Sequence, residues 1–135
     1  MKKSIACIAY DNGKVLIALR NPTGQMGNRW EFPGGKVEDG EDEKLSIIRE
    51  MSEEFGITVE VLNKITTGSF THNDKKSLLE VYQIKVPHDG MKQKYVLTEH
   101  QDYKWVDIND IPHDNFVDSD LSIYPEVKKY IENLK

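Results

Sequence analysis

The stretch from Gly35 to Ile57, GKVEDGEDEKLSIIREMSEEFGI, constrains this chain more than any other. Asp42 is a good N-cap, and Glu43 follows in the first turn, where the positive end of a helix dipole favours an acid. Gly56 is the natural stop, because glycine enters the left-handed conformation that closes a helix without steric cost. Between these ends Leu45, Ile48 and Phe55, with Ile47 and Met51 beside them, make a wide apolar stripe for packing on a sheet. A second face carries Glu50, Glu53 and Glu54 at i, i+3 and i+4, with Cβ atoms about 5–6 Å apart. Like charges at this spacing cost roughly 0.2–0.5 kcal/mol per pair. Glu53 and Glu54 also fall in the last turn, where the dipole prefers a cation. A solvated acidic face would interleave lysines at i+4, whereas the i+4 partners of Glu50 and Glu53 are Glu54 and Ile57. That face requires a positive group from elsewhere. Hard divalent ions take oxygen ligands, usually one or two carboxylates with substrate phosphates and waters. Three acids on one helix below Gly34-Gly35 fit that use.

The rest of the chain reads as short strands and one further helix. Ser4–Tyr10 and Val15–Leu19 are strands joined through Asn12-Gly13, a strong hairpin signal. A polar loop from Asn21 to Asn28, with Pro22, Gly24 and Gly27, is long enough for a flap and equally suits a plain surface connection. Trp30–Phe32 is a strand ended by Pro33-Gly34-Gly35. Gly34-Gly35-Lys36 lacks the earlier glycine and the following Ser or Thr of a Walker loop, so its glycines serve close backbone approach instead. Ile57–Ile65 reads as a strand, and Thr66–Thr71 and Leu78–Val86 as a pair around the turn at His72–Lys76. Pro87–Gly90 is a turn, Tyr103–Val106 a short strand, and Asp107–Pro112 turn-like. Pro125 suits a helix start, followed by a stripe at Val127, Tyr130, Ile131 and Leu134. Several strands, one central helix and one terminal helix indicate an α/β fold: a mixed central sheet with helices on both faces.

The run from Gly35 to Ile57 resembles the Nudix box, G-x5-E-x7-R-E-U-x-E-E-x-G-U with U a bulky aliphatic residue. Gly35, Glu41, Arg49, Glu50, Met51, Glu53, Glu54, Gly56 and Ile57 fill the specified positions, Met51 being the one mildly unusual choice. The lead-in Trp30-Glu31-Phe32-Pro33-Gly34-Gly35-Lys36 is similar to that of the MutT-type subgroup, which hydrolyses nucleoside triphosphates to a monophosphate and pyrophosphate. The resemblance implies a Nudix-like α/β/α sandwich spanning residues 1–135 as a single domain. It implies Mg²⁺, with Mn²⁺ as a substitute, held by Glu50, Glu53, Glu54, the Gly34 carbonyl and Glu99. Glu50, Glu53, Glu99 and Arg49 form the implied catalytic set, Arg49 bracing the acids and Glu50 or Glu99 acting as general base. Glu41 corresponds to a supporting acid rather than a primary ligand. Arg20, Gly35, Lys36 and Asp120 are the implied substrate contacts, with Asp118 an alternative to Asp120. The subgroup's guanine-oxidation member carries an Asn at that last position. An ionised Asp accepts only, and so suits an amino-bearing base edge; a protonated Asp reverses that preference and admits an oxidised guanine.

The resemblance thus implies Mg²⁺-dependent hydrolysis of a (deoxy)nucleoside triphosphate, with a part in sanitising the nucleotide pool. Another Nudix activity, on a nucleoside diphosphate sugar, a dinucleotide or a capped RNA end, is the alternative. A non-catalytic nucleotide-sensing module has little reason to keep all three acids together. His72, His88, His100 and His113 read as surface or turn histidines, since Mg²⁺ prefers oxygen. A net charge of −5 argues against general nucleic-acid binding. Cys7 is the only cysteine, which excludes an intramolecular disulfide and a zinc cage, and its apolar neighbours mark it as an inert core thiol. The apolar stretch after Lys2-Lys3 stops at Asp11 with no small-residue cleavage site after it, and nothing approaches the ~20 apolar residues of a membrane span. A cytoplasmic enzyme acting on a small-molecule nucleotide, away from membranes, is the expectation; oligomeric state is left open.

The crowded acidic face generates one prediction. Glu53→Gln lowers kcat by orders of magnitude with Mg²⁺ while metal-free stability stays level or rises slightly, as relief of like-charge repulsion requires. Steady-state turnover and urea melts check both halves; wild-type turnover by the variant removes Glu53 from the metal site.

Overall fold

The computed structural model describes residues 2–87 and 94–134. The strands around Asn12-Gly13 are β1 (Lys2–Asp11) and β2 (Lys14–Arg20). Asn12 at φ 49° and Gly13 at φ 80° form the left-handed pair that matches the twist of a two-residue hairpin. β3 (Trp30–Glu31) and β4 (Gly34–Lys36) lead to α1 (Glu43–Phe55). β5 (Glu60–His72), β6 (Lys75–Lys85), β7 (His100–Val106) and α2 (Asp118–Glu132) follow. The main sheet order is β3-β2-β1-β6-β5, with β4 paired to β1 and β7 to β2. The sheet is mixed: β1 runs parallel to β6 from Lys2↔Ser77 to Ala9↔Ile84 and antiparallel to β4.

Strand alternation sends side chains to two cores, one under each helix. Ile5, Cys7 and Ala9 pack with Ile47, Met51 and Phe55 of α1, while Ala6 and Ile8 pack with Ile123, Val127 and Ile131 of α2. This is the α/β/α sandwich expected, and Cys7 is fully buried in it. Each of the large apolar side chains so buried contributes roughly 1.5–3 kcal/mol. No helix among the described residues is long and apolar enough to cross a membrane.

Both ends of α1 behave as the sequence predicts. Asp42 accepts from the Lys44 and Leu45 amides at 3.0 and 3.3 Å, and Gly56 closes the helix at φ 67°. The buried stripe is narrower than expected, however: Ser46, Ile47, Met51 and Phe55 face the sheet, whereas Leu45 is 61% exposed. Leu45 lies two positions before Ile47, about 200° around the helix, and so points away from the sheet.

Five further expectations are corrected. Gly34-Gly35 does not simply end a strand but, with Lys36, makes β4 against β1. Residues 57–65 and 66–71 are not two strands; β5 is continuous and absorbs the loose alternation as register shifts around Lys64. Its turn is also tighter, with Asn73 and Asp74 alone in the left-handed region and His72 paired to Lys75. α2 starts at Asp118, seven residues before Pro125, which sits inside the helix. The inward stripe of Ile123, Val127 and Ile131 outweighs the lost proline donor, and Leu134 falls beyond the helix, exposed. The strand expected at Tyr103 begins earlier, at His100. Of the Pro87–Gly90 turn, residues 88–90 lie outside the described residues.

Gly34 is where β4 meets β1 most closely. A Cβ added there would stand 2.0 Å from the Ile5 carbonyl oxygen, and the Cys7 amide donates to Pro33 O at 2.7 Å beside it. Gly34→Ala therefore forces backbone apart and destabilises by about 1–3 kcal/mol or more. Urea unfolding of the variant within 0.5 kcal/mol of wild type, roughly the usual surface effect, rejects this packing.

Candidate active site

Arg49 organises the acids of α1. Its Nε and Nη2 donate to the two carboxylate oxygens of Glu41 at 2.8 and 2.9 Å. Nη1 donates to Glu50 at 2.8 Å and to Glu53 at 3.2 Å, and Nη2 reaches the Lys36 carbonyl at 3.1 Å. Ser46 Oγ and the Glu38 amide donate to Glu41 as well. The Arg49 bonds, then that of Ser46, hold the Glu41 carboxyl down to about 2. Glu41 thus clamps the loop entering α1 to Arg49.

Beside this clamp a cleft of about 310 Å³ collects Arg20, Gly34, Gly35, Lys36, Glu54, Glu99 and Asp120 from β2, the β3–β4 region, α1, the segment before β7, and α2. Glu50 closes on the same wall, since a Cβ on Gly35 would lie 2.4–2.8 Å from its carboxylate atoms. Glu53, 60% exposed, stays on the outer side with Arg49. Burial, then the charges of Glu50, Glu31 and Glu99, pushes the Glu54 carboxyl up to about 9. Burial also raises Glu50, against the pull of Arg49. Glu54 Oε2 is buried with no hydrogen-bond partner, a state that ordinarily costs about 1–3 kcal/mol. Among the described residues no three acidic, imidazole or thiol groups are already gathered round one point. The donors are nevertheless hard oxygens, one of them orphaned, and a divalent ion of the Mg²⁺ class fits them.

Glu99 is gripped on both sides. Thr98 Oγ1 donates to the Glu53 carbonyl at 2.9 Å. His100 stacks on Phe55, the last residue of α1, with centroids 5.3 Å apart, and meets Glu31 at 2.8 Å through Nε2. His100 is therefore not the surface histidine expected: it is buried, between the sheet and α1. An Nε2–H tautomer donates to Glu31 and leaves only the Nδ1 lone pair unpartnered. His113 packs edge-on against Tyr124, away from the acids; His88 lies outside the described residues.

At the opposite end Asp120 is buried and accepts from the Phe32 amide at 2.9 Å. Burial, then the charge of Glu31, pushes its carboxyl up to about 8. The register shift between Leu19 and Arg20 turns Arg20 toward Glu31, 3.2 Å from Nη1, while its buried Nε has no partner. Asp118, the alternative, is 71% exposed and pairs with Arg29 outside the cleft. Asn21 and Thr23 of the 21–28 loop form part of the rim, and that loop is tied down by Gln101 and Asn115 bonding to Asn28. Sequence reasoning missed Glu31, which bonds Arg20 and His100 and lies near both raised acids. Its one available signal was an acid in an otherwise apolar Trp-Glu-Phe strand.

A family profile described as "NUDIX domain" matches residues 1–127. An 8-oxo-dGTP diphosphatase of Proteus vulgaris is 35% identical over 80 residues, covering 59% of this chain and 70% of that protein. An RNA pyrophosphohydrolase of Pelagibacter ubique is 30% identical over 146 residues, covering 96% of this chain and 89% of that one. The crystal structure of a MutT protein from Methanosarcina mazei Go1 superposes with a TM-score of 0.80 at 25% identity, covering 99% of this chain and 96% of that chain.

Asp120 yields a prediction about pH. Its folded pKa, about 8, lies above the ordinary 3.8, so the folded state keeps a proton that the unfolded chain releases. Wild-type stability is therefore intact below the ordinary value, falls as pH rises, and levels above about pH 8. Asp120→Asn has no such loss. In metal-free urea melts the variant gains on wild type with rising pH, by a few kcal/mol on the order expected for a buried acid. A difference independent of pH shows that Asp120 is ionised in the fold.

Proposed function

This chain belongs to the NUDIX domain family, and from that premise we propose that it hydrolyses a (deoxy)nucleoside triphosphate to the monophosphate and pyrophosphate in a Mg²⁺-dependent reaction. It is a hydrolase of nucleotide pyrophosphate bonds; the choice of triphosphate rests on the cleft. One observation carries it: a single cavity joins Glu54, whose buried Oε2 has no hydrogen-bond partner, and Glu99 at one end to Arg20 and the buried Asp120 at the other. The reading takes residues 1–135 as one domain of a cytoplasmic enzyme with a small-molecule substrate.

Glu50, Glu53, Glu54, Glu99 and the Gly34 carbonyl would hold the ion, Mg²⁺ or Mn²⁺. When bound, it neutralises phosphate charge and lowers the pKa of a water. Glu50 or Glu99 takes the proton from the attacking water. Arg49 keeps Glu50 and Glu53 from repelling each other out of position. Lys36 would meet the phosphates and Arg20 the nucleotide nearer Asp120, and the β4 backbone at Gly34-Gly35 allows the phosphates to approach closely. Attack in line with the leaving oxygen releases pyrophosphate, with no covalent enzyme intermediate.

The base end follows from Asp120. An ionised Asp would favour an amino-bearing base, but the raised pKa keeps it protonated at neutral pH. One carboxyl oxygen accepts from the Phe32 amide, leaving a hydroxyl to donate. That donor suits a carbonyl-bearing edge such as guanine or oxidised guanine, in line with the diphosphatase relative. The RNA pyrophosphohydrolase likeness, which spans nearly the whole chain, supports a second reading in which the triphosphate is the 5′ end of an RNA.

Turnover of canonical and oxidised nucleoside triphosphates and a 5′-triphosphate RNA with Mg²⁺ tests these readings, with pyrophosphate as the product of either. Glu99→Gln is expected to lose about 10²–10⁴ in kcat, while its thermal midpoint moves by no more than about 2 °C. Unchanged kcat returns Glu99 to an ordinary solvated carboxylate.

A further inference from the structure

Glu31, which closes the two-residue strand β3, joins two residues of the cleft that each keep a buried polar atom without a partner, Arg20 and His100. Its Oε1 accepts from Arg20 Nη1 at 3.2 Å, and its Oε2 meets His100 Nε2 at 2.8 Å. The Glu31 side chain is only 15% exposed. Desolvation offsets much of the attraction in an ion pair so placed, which makes the pair weak evidence for stability. Its position relative to Glu99 supplies another role.

β7 pairs regularly with β2 from Val106 to Asp102, and the register then slips between Leu19 and Arg20 before His100. The ladder is thus irregular just where the chain reaches Glu99, and side chains hold the segment instead. Thr98 Oγ1 donates to the Glu53 carbonyl of α1 at 2.9 Å. Gln101 Nε2 donates to the Arg20 carbonyl at 2.8 Å and to Asn28 Oδ1 at 2.7 Å. Between them His100 lays its ring on Phe55, with centroids 5.3 Å apart and 26° between the planes. A stack restrains a ring along its normal and leaves it free to slide in its own plane. The directional bond to Glu31 stops that slide, and Arg20 holds the other oxygen of the same carboxylate. Glu99, which lines the cleft, is one peptide bond from His100, so any slide of the ring carries it along.

We propose that Glu31 is a positioning residue for the hydrolysis: held by Arg20, it fixes His100 and, through His100, the place of Glu99. This rests on the reading of Glu99 as a metal ligand or base of the cleft. Two variants break the chain of contacts at different links. His100→Phe keeps an aromatic ring on Phe55 and loses the bond to Glu31; Glu31→Leu keeps the imidazole and removes its partner. Each is made in the wild type and in Glu99→Gln, and turnover of dGTP and 8-oxo-dGTP is followed at saturating Mg²⁺. In the wild-type background each is expected to lower kcat by about 10- to 100-fold, and His100→Phe to leave KM within about threefold. In Glu99→Gln the same changes cost less than about twofold, because the residue they act through is already disabled. A loss of equal size in both backgrounds, as general loosening or direct substrate contact produces, overturns the proposal. Metal-free protein gives a second readout: in ¹⁵N relaxation the backbone order parameter of Glu99 falls from about 0.85 toward 0.6 in either variant. An unmoved value overturns the proposal whatever the kinetics. Where one variant fails to fold, the other carries both measurements. Full activity of Glu99→Gln, or no turnover of either nucleotide by the wild type, is a failure of the cleft reading instead, and the order parameter alone then decides whether Glu31 places Glu99.

Discussion

The fork that Arg49 makes with Glu41, Glu50 and Glu53 is the interaction on which the site depends. Glu50, Glu53 and Glu54 would repel one another along the last turns of α1, where the dipole adds to the penalty. A guanidinium offers five donors in a fixed plane, and here they are shared among three carboxylates and the Lys36 carbonyl. Because Glu41 and Lys36 precede the helix, the same fork fastens the loop from β4 to α1. A lysine would supply the charge but not this geometry.

That fastening matters because β4 lies nearly in contact with β1. Gly34 leaves no room for a side chain against Ile5, and Gly35 leaves none against Glu50. The acids are consequently set against bare backbone, and the metal and phosphates would share that narrow space. β1 supports all of this from the middle of the sheet, paired to β6 on one side and to β2 and β4 on the other.

The cleft's electrostatics follow from uneven compensation. Arg49 serves the outer acids, whereas Glu54 and Asp120 are buried near Glu31, and both carboxyls are raised, that of Asp120 against the pull of Arg20. At one end a divalent ion would supply the missing charge; at the other a retained proton would remove the excess. Glu31 links the two ends through Arg20 and His100, and His100, stacked on Phe55, fixes Glu99 over the helix.

The sequence by itself determined what local physics can specify. Asp42 and Gly56 set the limits of α1, Asn12-Gly13 fixed the first hairpin, and the spacing of Glu50, Glu53 and Glu54 exposed a charge conflict that Arg49 of the same helix meets at Glu50 and Glu53 but not at Glu54. Where local signals compete with packing, tertiary structure decided. The inward stripe carries α2 through Pro125 and back to Asp118, and bulges let β5 continue where its alternation falters. Which side of α1 is buried was settled by the sheet, leaving Leu45 outside. The burial of His100, the partners of Glu31 and the raised carboxyl of Asp120 all arise from residues distant in the chain. Each depends on desolvation and Coulomb terms that exist only once those residues share a low-dielectric space.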